Sequence, residues 1–291
     1  MIHRNDMITC NIQGGLGNQL FQIMATIGYC IKHTVPFIFP HIEALGDRPT
    51  YWDTFFDKLN NFTTSKQNFP DTDPKDVIHF LRALPKYQEP AFTYADIPKY
   101  ERVMLHGYFQ SYKYTEQSKA QLFDIIDIKF KQLCAKTEYL HLFDSPNVIS
   151  IHFRLGDYKN KQEFHPILPI DYYVNSLSYI TMPSQALVFC EKEDNEVVEG
   201  HIEQLRKTFE HITFVKVSDD IPDWKQLVLM SCCNMNIIAN SSFSWWGAYL
   251  NRSSNKAVFH PDMWFGPMID NSVSDLFPSN WIEVPCRKID S

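Results

Sequence analysis

Three kinds of feature are missing from this 291-residue sequence, and each absence narrows its function. No stretch approaches 18 consecutive apolar residues, so we predict no membrane span, which leaves peripheral association with a membrane open. Positive charge is not in excess, since the net charge is −7, and this argues against a nucleic-acid partner. The seven cysteines show no C-x-x-C spacing, which argues against a zinc site or a disulfide framework and favours a reducing compartment.

No signal-peptide pattern opens the sequence, and together with the missing membrane span this predicts a cytoplasmic protein. At about 100–200 residues per domain, the length predicts two domains. We place the boundary near residue 145, which gives domains 1–145 and 146–291. Aromatic residues make up 14% of the chain, and this fits either a large core or a surface that stacks on sugars or bases.

The second half of the chain predicts an α/β fold. Short apolar runs alternate there with helical segments, which is typical of a parallel sheet with crossover helices. The runs fall at 147–153, 186–190, 212–217, 235–239 and 257–260, and the helical segments near 171–180, 195–210, 223–233 and 243–251.

The first half is less regular. Residues 7–12 predict a strand, and a glycine loop and a helix of period 3.6 follow it. Further strands are predicted at 35–39 and 103–108, and a helix at about 115–135. The stretch from about 47 to 100 is rich in proline, aspartate and aromatic residues, and it predicts no clear order of elements.

The segment with the clearest chemistry is IHFRLGDYKN, residues 151–160, at the end of the first strand of the second half. Ligands of open α/β sheets bind outside the carboxyl ends of strands, so His152, Arg154 and Asp157 emerge where a nucleotide is expected. Gly156 allows a sharp turn. The planar guanidinium of Arg154 suits a diphosphate, on which negative charge builds as a sugar is transferred. The alternative is a strand end that carries an Arg–Asp surface pair.

Two further segments carry weaker signals. Residues 237–250 read IIANSSFSWWGAYL, where Ser241 and Ser242 follow an apolar strand and open a helix. Serine is a common N-cap of a helix, and the amides and hydroxyls of such a helix start also bind phosphate. Residues 13–22 read QGGLGNQLFQ, which is neither the G-x-G-x-x-G fingerprint nor a P-loop, because the P-loop lysine is missing. That segment indicates only a tight turn that a ligand can approach closely.

Taken together, these segments resemble a known family. GGLGNQ, H-x-R-x-G-D-Y and N-S-S-F-S-W-W-G-A-Y-L occur in the order found in the α-1,2-fucosyltransferases of glycosyltransferase family 11, and GYFQSYKY (107–114) stands in place of a further family segment. The resemblance extends over residues 14–264. It implies the GT-B architecture, with two Rossmann-like domains facing across a cleft, the acceptor on the first and the donor mainly on the second. It also implies an inverting transfer of L-fucose from GDP-fucose to a hydroxyl, the 2-OH, of a galactose-type residue in a glycan.

The same resemblance implies roles for individual residues. Arg154 would hold the diphosphate and Asp157 would order the loop, and these two are the predicted catalytic residues. His152 would lie near the guanosine, while Ser241 and Ser242 would approach the phosphates or the fucose. The remaining candidates are Gly156, Gly14, Gly15 and Asn18 for donor binding, and His165, Glu163, Gln110 and Tyr112 for the acceptor or the catalytic base.

We identify no metal-ligand cluster and no Asp-x-Asp metal motif, so we expect a reaction without a metal or another cofactor. In such a reaction, an arginine and the amides of a helix start replace the cation.

The sequence departs from the family pattern at two places. Leu155 stands where a second arginine is common, and strand alternation from Arg154 predicts that Leu155 points into the core. Residues 190–194 read CEKED where many relatives carry a Ser-Asp-Asp-like run, so Glu191, Glu193 and Asp194 either serve instead or begin a solvated helix. These differences leave two alternatives open. One is the same fold with another sugar donor or linkage, and the other is a non-catalytic relative that binds a nucleotide or a glycan.

Overall fold

The computed structural model describes residues 7–288, which form two compact units. The first unit combines the chain up to Lys129 with Ser272–Pro278, and the second combines residues 130–271 with the chain from Ser279 onward. Residues 1–6, where the sequence shows no signal-peptide pattern, and residues 289–291 lie outside the described part.

The division between the units falls after Lys129, whereas the sequence places it near residue 145. The helix Ile128–Glu138 accounts for the difference, because it makes its contacts with the second unit. The Gln132 side-chain amide donates to the hydroxyl of Ser231 at 3.0 Å and to the carbonyl of Leu250 at 3.1 Å. A sequence boundary drawn just before the next strand therefore differs from this division mainly by the length of this helix.

The first unit is built on a small parallel sheet. Its helices and strands are β1 (Met7–Cys10), α1 (Leu16–His33), β2 (Ala44–Leu45), β3 (Arg48–Pro49), α2 (Pro74–Arg82), β4 (Lys86–Gln88), β5 (Arg102–His106) and α3 (Lys119–Ile125). Three of the strands pair in the order β1-β5-β4, and both pairings are parallel. The helix α1 is buried along most of its length, which explains why its apolar residues are not confined to a single helical face.

Two predictions for this unit are corrected. The run 35–39 is not a strand, because only Phe37 and Phe39 make isolated bridges, and Pro36 has no amide to donate to a ladder. The helix predicted over 115–135 is two helices, separated at Asp127, whose backbone is left-handed with φ of 52°. Aspartate tolerates this conformation better than most residues do.

The irregular stretch of the first unit contains a helix that the sequence analysis did not predict. α2 begins after Asp73, whose carboxylate accepts from the amide of Lys75 at 2.9 Å. Pro74 occupies the first helical position, where its missing amide costs nothing. The Asp-Pro pair is therefore the local signal that could have revealed this helix.

The second unit is a doubly wound α/β fold. Its elements are α4 (Ile128–Glu138), β6 (Val148–His152), α5 (Ile170–Leu177), β7 (Ser184–Phe189), α6 (Asn195–Thr208), β8 (Ile212–Lys216), α7 (Asp223–Ser231), β9 (Met235–Ile237), α8 (Ser242–Tyr249), β10 (Ala257–Pro261) and β11 (Ile282–Val284). Six strands pair in the order β11-β10-β9-β6-β7-β8, and every pairing is parallel. The predicted α/β class with a parallel sheet is thus confirmed, while the GT-B cleft stays an expectation from the family resemblance.

The strand order also locates the crevice of the sheet. Counted along the chain, it is the order of a Rossmann fold, in which the winding reverses between the first and the fourth strand. These two strands are β6 and β9, so the loops that follow them border the crevice where such sheets bind ligands. The short strand β11 was not predicted, since its three residues follow a long irregular segment.

Candidate functional site

The candidate site lies at the carboxyl ends of β6, β7 and β9. The loop after β6 carries the Arg154 motif, and the loop after β9 leads into α8. The hydroxyl of Tyr158 in the first loop donates to the carbonyl of Asn240 in the second at 3.0 Å. This bond ties together the two loops that border the crevice.

Arg154 is the centre of this site. Its side chain is only 16% exposed, and its guanidinium pairs through Nη1 with Glu191 and through Nη2 with Asp157. The guanidinium also lies over the ring of Tyr158, at 5.0 Å from the ring centroid. Burial by itself would lower the pKa of Arg154, but the negative charges of Glu191 and Asp157 raise it. The residue is therefore a fixed cation, held by partners from two different loops.

The turn that follows Arg154 is anchored by a buried carboxylate. Asp194 is fully buried, and it accepts from the amide of Gly156 at 2.8 Å and from the ammonium of Lys159 at 2.6 Å. Gly156 has a φ of +31°, and a Cβ there would overlap the carboxylate of Glu191. The backbone conformation therefore favours glycine here, and the missing Cβ leaves the space that the Glu191 carboxylate occupies.

His152 and Asn240 each present a buried polar atom without a partner in the described structure. These atoms are Nδ1 of His152, on β6, and Oδ1 of Asn240, after β9. Burial, followed by the charge of Arg154, lowers the pKa of His152 to about 3, so the ring is neutral at neutral pH. Buried polar groups in native proteins are nearly always hydrogen-bonded, so two orphan atoms at the ends of adjacent strands fit a site that a polar ligand completes.

The helix start after β9 is built as the sequence predicts. Ser241 is the N-cap of α8, and its hydroxyl accepts from the amide of Phe243 at 3.3 Å. Ser242 is the first residue of the helix and is half-buried. The ring of Phe243 lies 5.7 Å from that of His152, which places the start of α8 beside β6. The two tryptophans that follow, Trp245 and Trp246, are buried in the core.

The two base candidates of the second unit have different surroundings. His165 is half-buried and stacks on Tyr158, with the ring centroids 5.0 Å apart. Burial is the main cause that lowers the pKa of His165, so its imidazole is neutral and can accept a proton. Glu163 is exposed, and its backbone carbonyl accepts from the amide of Met268 at 2.9 Å. The structure therefore brings His165, but not the carboxylate of Glu163, into contact with the Arg154 loop.

The candidates of the first unit form a separate cluster within that unit. Gly14 has a left-handed φ of +78°, and Gly15 caps the start of α1. The side-chain oxygen of Asn18 accepts from the amide of Gln110 at 2.9 Å. Tyr112 begins a short 3₁₀ helix and is half-buried. The glycine loop and the 107–114 segment are thus neighbours, joined by the Asn18–Gln110 bond.

Several contacts of the site escape sequence reasoning. The sequence left Glu191 and Asp194 either as replacements for a family motif or as the start of a solvated helix, and it did not predict that they pair with Arg154 and Lys159. Tyr158 and Lys159 were not singled out, although they directly follow Asp157 in the motif. The signal that could have revealed these contacts is the charged residues that directly follow two strands. Because β6 and β7 are neighbours in a parallel sheet, the loops after them lie side by side.

The prediction that the sequence has no Asp-x-Asp pair is wrong at one place, because residues 71–73 form such a triplet. The carboxylate of Asp73 caps α2, so this triplet has a local structural role. Within residues 7–288 no group of three or more His, Cys, Asp or Glu side chains is arranged to hold a metal ion. Over the same residues no helix is both long and apolar enough to cross a membrane.

Known proteins of similar sequence come from carbohydrate assembly. The O-antigen biosynthesis glycosyltransferase WbnK of Escherichia coli is 26% identical, over 96% of this chain and 100% of its own length. An alpha-1,2-colitosyltransferase of Escherichia coli is 25% identical, over 96% of this chain and 99% of its own.

Solved structures with a similar chain trace include two fucosyltransferases. NodZ from Bradyrhizobium matches with a TM-score of 0.46 at 9% identity, over 85% of this chain and 94% of its own. A variant of Arabidopsis thaliana FUT1 in complex with GDP matches with a TM-score of 0.48 at 11% identity, over 89% of this chain and 70% of its own.

The family assignment comes from the match to a family model. The model of glycosyl transferase family 11 matches residues 81–284, which is more than half of the chain and includes the whole Arg154 loop and the start of α8. This chain therefore belongs to glycosyltransferase family 11 and is a glycosyltransferase.

Proposed function

We propose that this enzyme transfers L-fucose, or a closely related deoxysugar, from a GDP-sugar to the 2-hydroxyl of a galactose-type residue in a glycan. The observation that carries the proposal is the fixed guanidinium of Arg154 at the crevice of the sheet, beside the start of α8. A planar cation and the amides of a helix start are the groups that bind a diphosphate.

The nucleoside end of the donor has its own candidate contacts. Nδ1 of His152 and Oδ1 of Asn240 are buried and lack partners in the described structure. A purine base offers both donors and acceptors along its edge, so it can pair with a neutral imidazole and with an amide oxygen. His152 recognises the ligand by hydrogen bonding and not by charge, because its lowered pKa keeps it neutral.

The chemistry is an inverting displacement. The acceptor hydroxyl attacks the anomeric carbon, the bond from that carbon to the phosphate oxygen breaks, and GDP leaves with the electron pair. Arg154 stabilises the charge that develops on the diphosphate, which is the step that most needs electrostatic help. The hydroxyl proton passes to a base, for which His165 is the better placed candidate, since it is neutral and stacks on Tyr158 of the Arg154 loop.

The identity of the sugar has a specific alternative. One relative is named as an alpha-1,2-colitosyltransferase, and colitose is the 3-deoxy counterpart of L-fucose. Fucose and colitose present the same anomeric carbon and the same GDP leaving group to the residues described above. The donor-binding proposal is therefore common to both sugars, and the difference lies in what contacts the 3-position.

The deciding experiment measures release of the nucleoside diphosphate (GDP or UDP) from GDP-fucose, GDP-colitose, GDP-mannose and a UDP-sugar, each with simple β-galactosides as acceptors. We expect turnover with one or both of the first two donors, and an α-1,2 linkage in the product by NMR. Turnover with the UDP-sugar alone would contradict the proposed donor. Tight GDP binding without turnover on any donor and acceptor would favour a non-catalytic binding protein.

A further inference from the structure

The carboxylate of Glu191 lies where an anionic ligand of Arg154 would bind. It pairs with Nη1 of Arg154, and it fills the space beside Gly156 that a Cβ would otherwise take. We call this space, bordered by Nη1 of Arg154 and the α-carbon of Gly156, the Arg154 anion position. The protein itself thus demonstrates that the position accepts an oxyanion.

The charges around Arg154 do not favour a further anion while Glu191 is present. The guanidinium faces two carboxylates, Glu191 and Asp157, and Asp157 also pairs with Lys161 at 3.4 Å, so these four groups together carry no net charge. The nearby ammonium of Lys159 is already paired with the buried carboxylate of Asp194. A diphosphate that approaches this cluster therefore finds no net positive charge, and at short range it is repelled by the carboxylate of Glu191 at Nη1.

Glu191 is the carboxylate that is free to leave. Its side chain is 39% exposed, and within residues 7–288 its one ion pair is the pair with Arg154. Asp157, in contrast, follows Arg154 by three residues on the same loop and also pairs with Lys161 at 3.4 Å. The glutamate side chain also has one more rotatable bond, so it can turn towards solvent without moving the backbone.

We propose that Glu191 is an intramolecular occupant of the Arg154 anion position, which the diphosphate of the donor displaces on binding and which returns as GDP leaves. The inference rests on the proposed binding of a GDP-sugar at Arg154. Glu191 then weakens the binding of donor and product alike, and it speeds the release of GDP by competing for the same guanidinium.

The test is calorimetric titration of GDP into the wild type, Glu191→Gln and Glu193→Gln. Glu193 is the matched control, since it lies two residues further on the same loop and is exposed. The uncharged amide of Glu191→Gln should leave Arg154 to the diphosphate, and we expect GDP to bind about ten-fold more tightly, the size of one charge-assisted bond. Glu193→Gln should bind GDP as the wild type does, and stopped-flow displacement should show slower GDP release from Glu191→Gln alone.

The outcomes separate this inference from the function on which it rests. If the wild type binds GDP and Glu191→Gln binds it equally or more weakly, Glu191 holds Arg154 in place for the ligand and the displacement proposal is wrong. If neither protein binds GDP, the proposed donor is wrong. Melting curves of the three proteins exclude unfolding as the cause of any difference.

Discussion

The hydroxyl of Tyr158 donates to the backbone carbonyl of Asn240 at 3.0 Å, and this single bond connects the two loops that border the crevice of the sheet. The ring of Tyr158 also contacts Arg154 and His165. Its hydroxyl and its ring therefore have separable roles, because a phenylalanine would keep the ring contacts and lose only the bond between the loops.

Tyr158→Phe should raise the KM for the donor about five-fold, because losing one hydrogen bond of about 1 kcal/mol loosens the two loops at which we propose that the nucleotide binds. Steady-state kinetics with varied donor checks this expectation. Tyr179→Phe is the control, since Tyr179 is an exposed tyrosine on another part of the same unit. Equal KM values for Tyr158→Phe and the wild type would show that the bond does not position the donor.

Arg154→Ala should lower kcat/KM roughly 10²–10³-fold, the effect of removing one preorganised group that stabilises the charge of the transition state. Arg154→Lys keeps the charge but loses the planar fork, and we expect it to recover only part of the activity. The control is Arg206→Ala, which removes an exposed arginine paired with Glu199. Near-normal turnover in Arg154→Ala, with the fold intact by circular dichroism, would refute the assignment of the site.

Leu155→Arg should destabilise the protein by about 3 kcal/mol or more, because it would place an unpaired cation in the core. Leu155 is only 5% exposed and packs in the core of the second unit, as strand alternation predicts. Leu155→Met, which conserves volume, should cost less than about 1.5 kcal/mol. Denaturant unfolding of both variants measures the difference. An unchanged midpoint for Leu155→Arg would mean that position 155 reaches solvent or the donor.

Activity should persist in EDTA, since Arg154 and the start of α8 supply the positive potential that a metal provides in metal-dependent transferases. Donor turnover is measured after dialysis against the chelator, then with added Mg²⁺ or Mn²⁺. Loss of activity in EDTA that either metal restores would overturn the metal-free mechanism.

Acid should destabilise the protein partly through His152. Burial, then the charge of Arg154, lowers its pKa from 6.5 to about 3, so between these values the unfolded chain binds a proton that the folded protein does not. The contribution of His152 to the free energy of unfolding is therefore fully present above about pH 6.5. It falls as the pH decreases towards 3, by at most about 1.4 kcal/mol per pH unit.

We expect His152→Gln to show a shallower loss of unfolding free energy over that range than the wild type. Burial also lowers the pKa of His260, to about 4, so His260→Gln is needed to separate the two contributions. His141→Gln, at an exposed histidine, is the control. Identical pH dependence in His152→Gln and the wild type would show that His152 does not carry this effect.

Sequence patterns predict the second unit better than the first for a physical reason. In the second unit the central strands β6 and β7 are buried at every residue, and five of the six strands appear in the sequence as short, mainly apolar runs between helices. In the first unit the signals are short and local. A single left-handed Asp127 divides the predicted helix, and a lone Asp73 cap begins an unpredicted one.

The site shows the same limit. Arg154, Asp157 and Ser241 lie at strand ends and a helix start, which sequence periodicity locates well. The pairing of Arg154 with Glu191 joins residues 37 positions apart, and it depends on which strand lies beside β6. Strand order is not encoded in any local pattern, so that contact is visible only in the folded chain.

The buried carboxylate of Asp194 has a consequence for how binding energy is used. Because it holds the amide of Gly156 and the ammonium of Lys159 before any ligand is present, the loop after β6 has already lost its conformational freedom on folding. Ordering a flexible loop subtracts from the affinity of the ligand that orders it. Here that entropy was lost when the chain folded, so ordering this loop would not subtract from the affinity of a nucleotide that binds there.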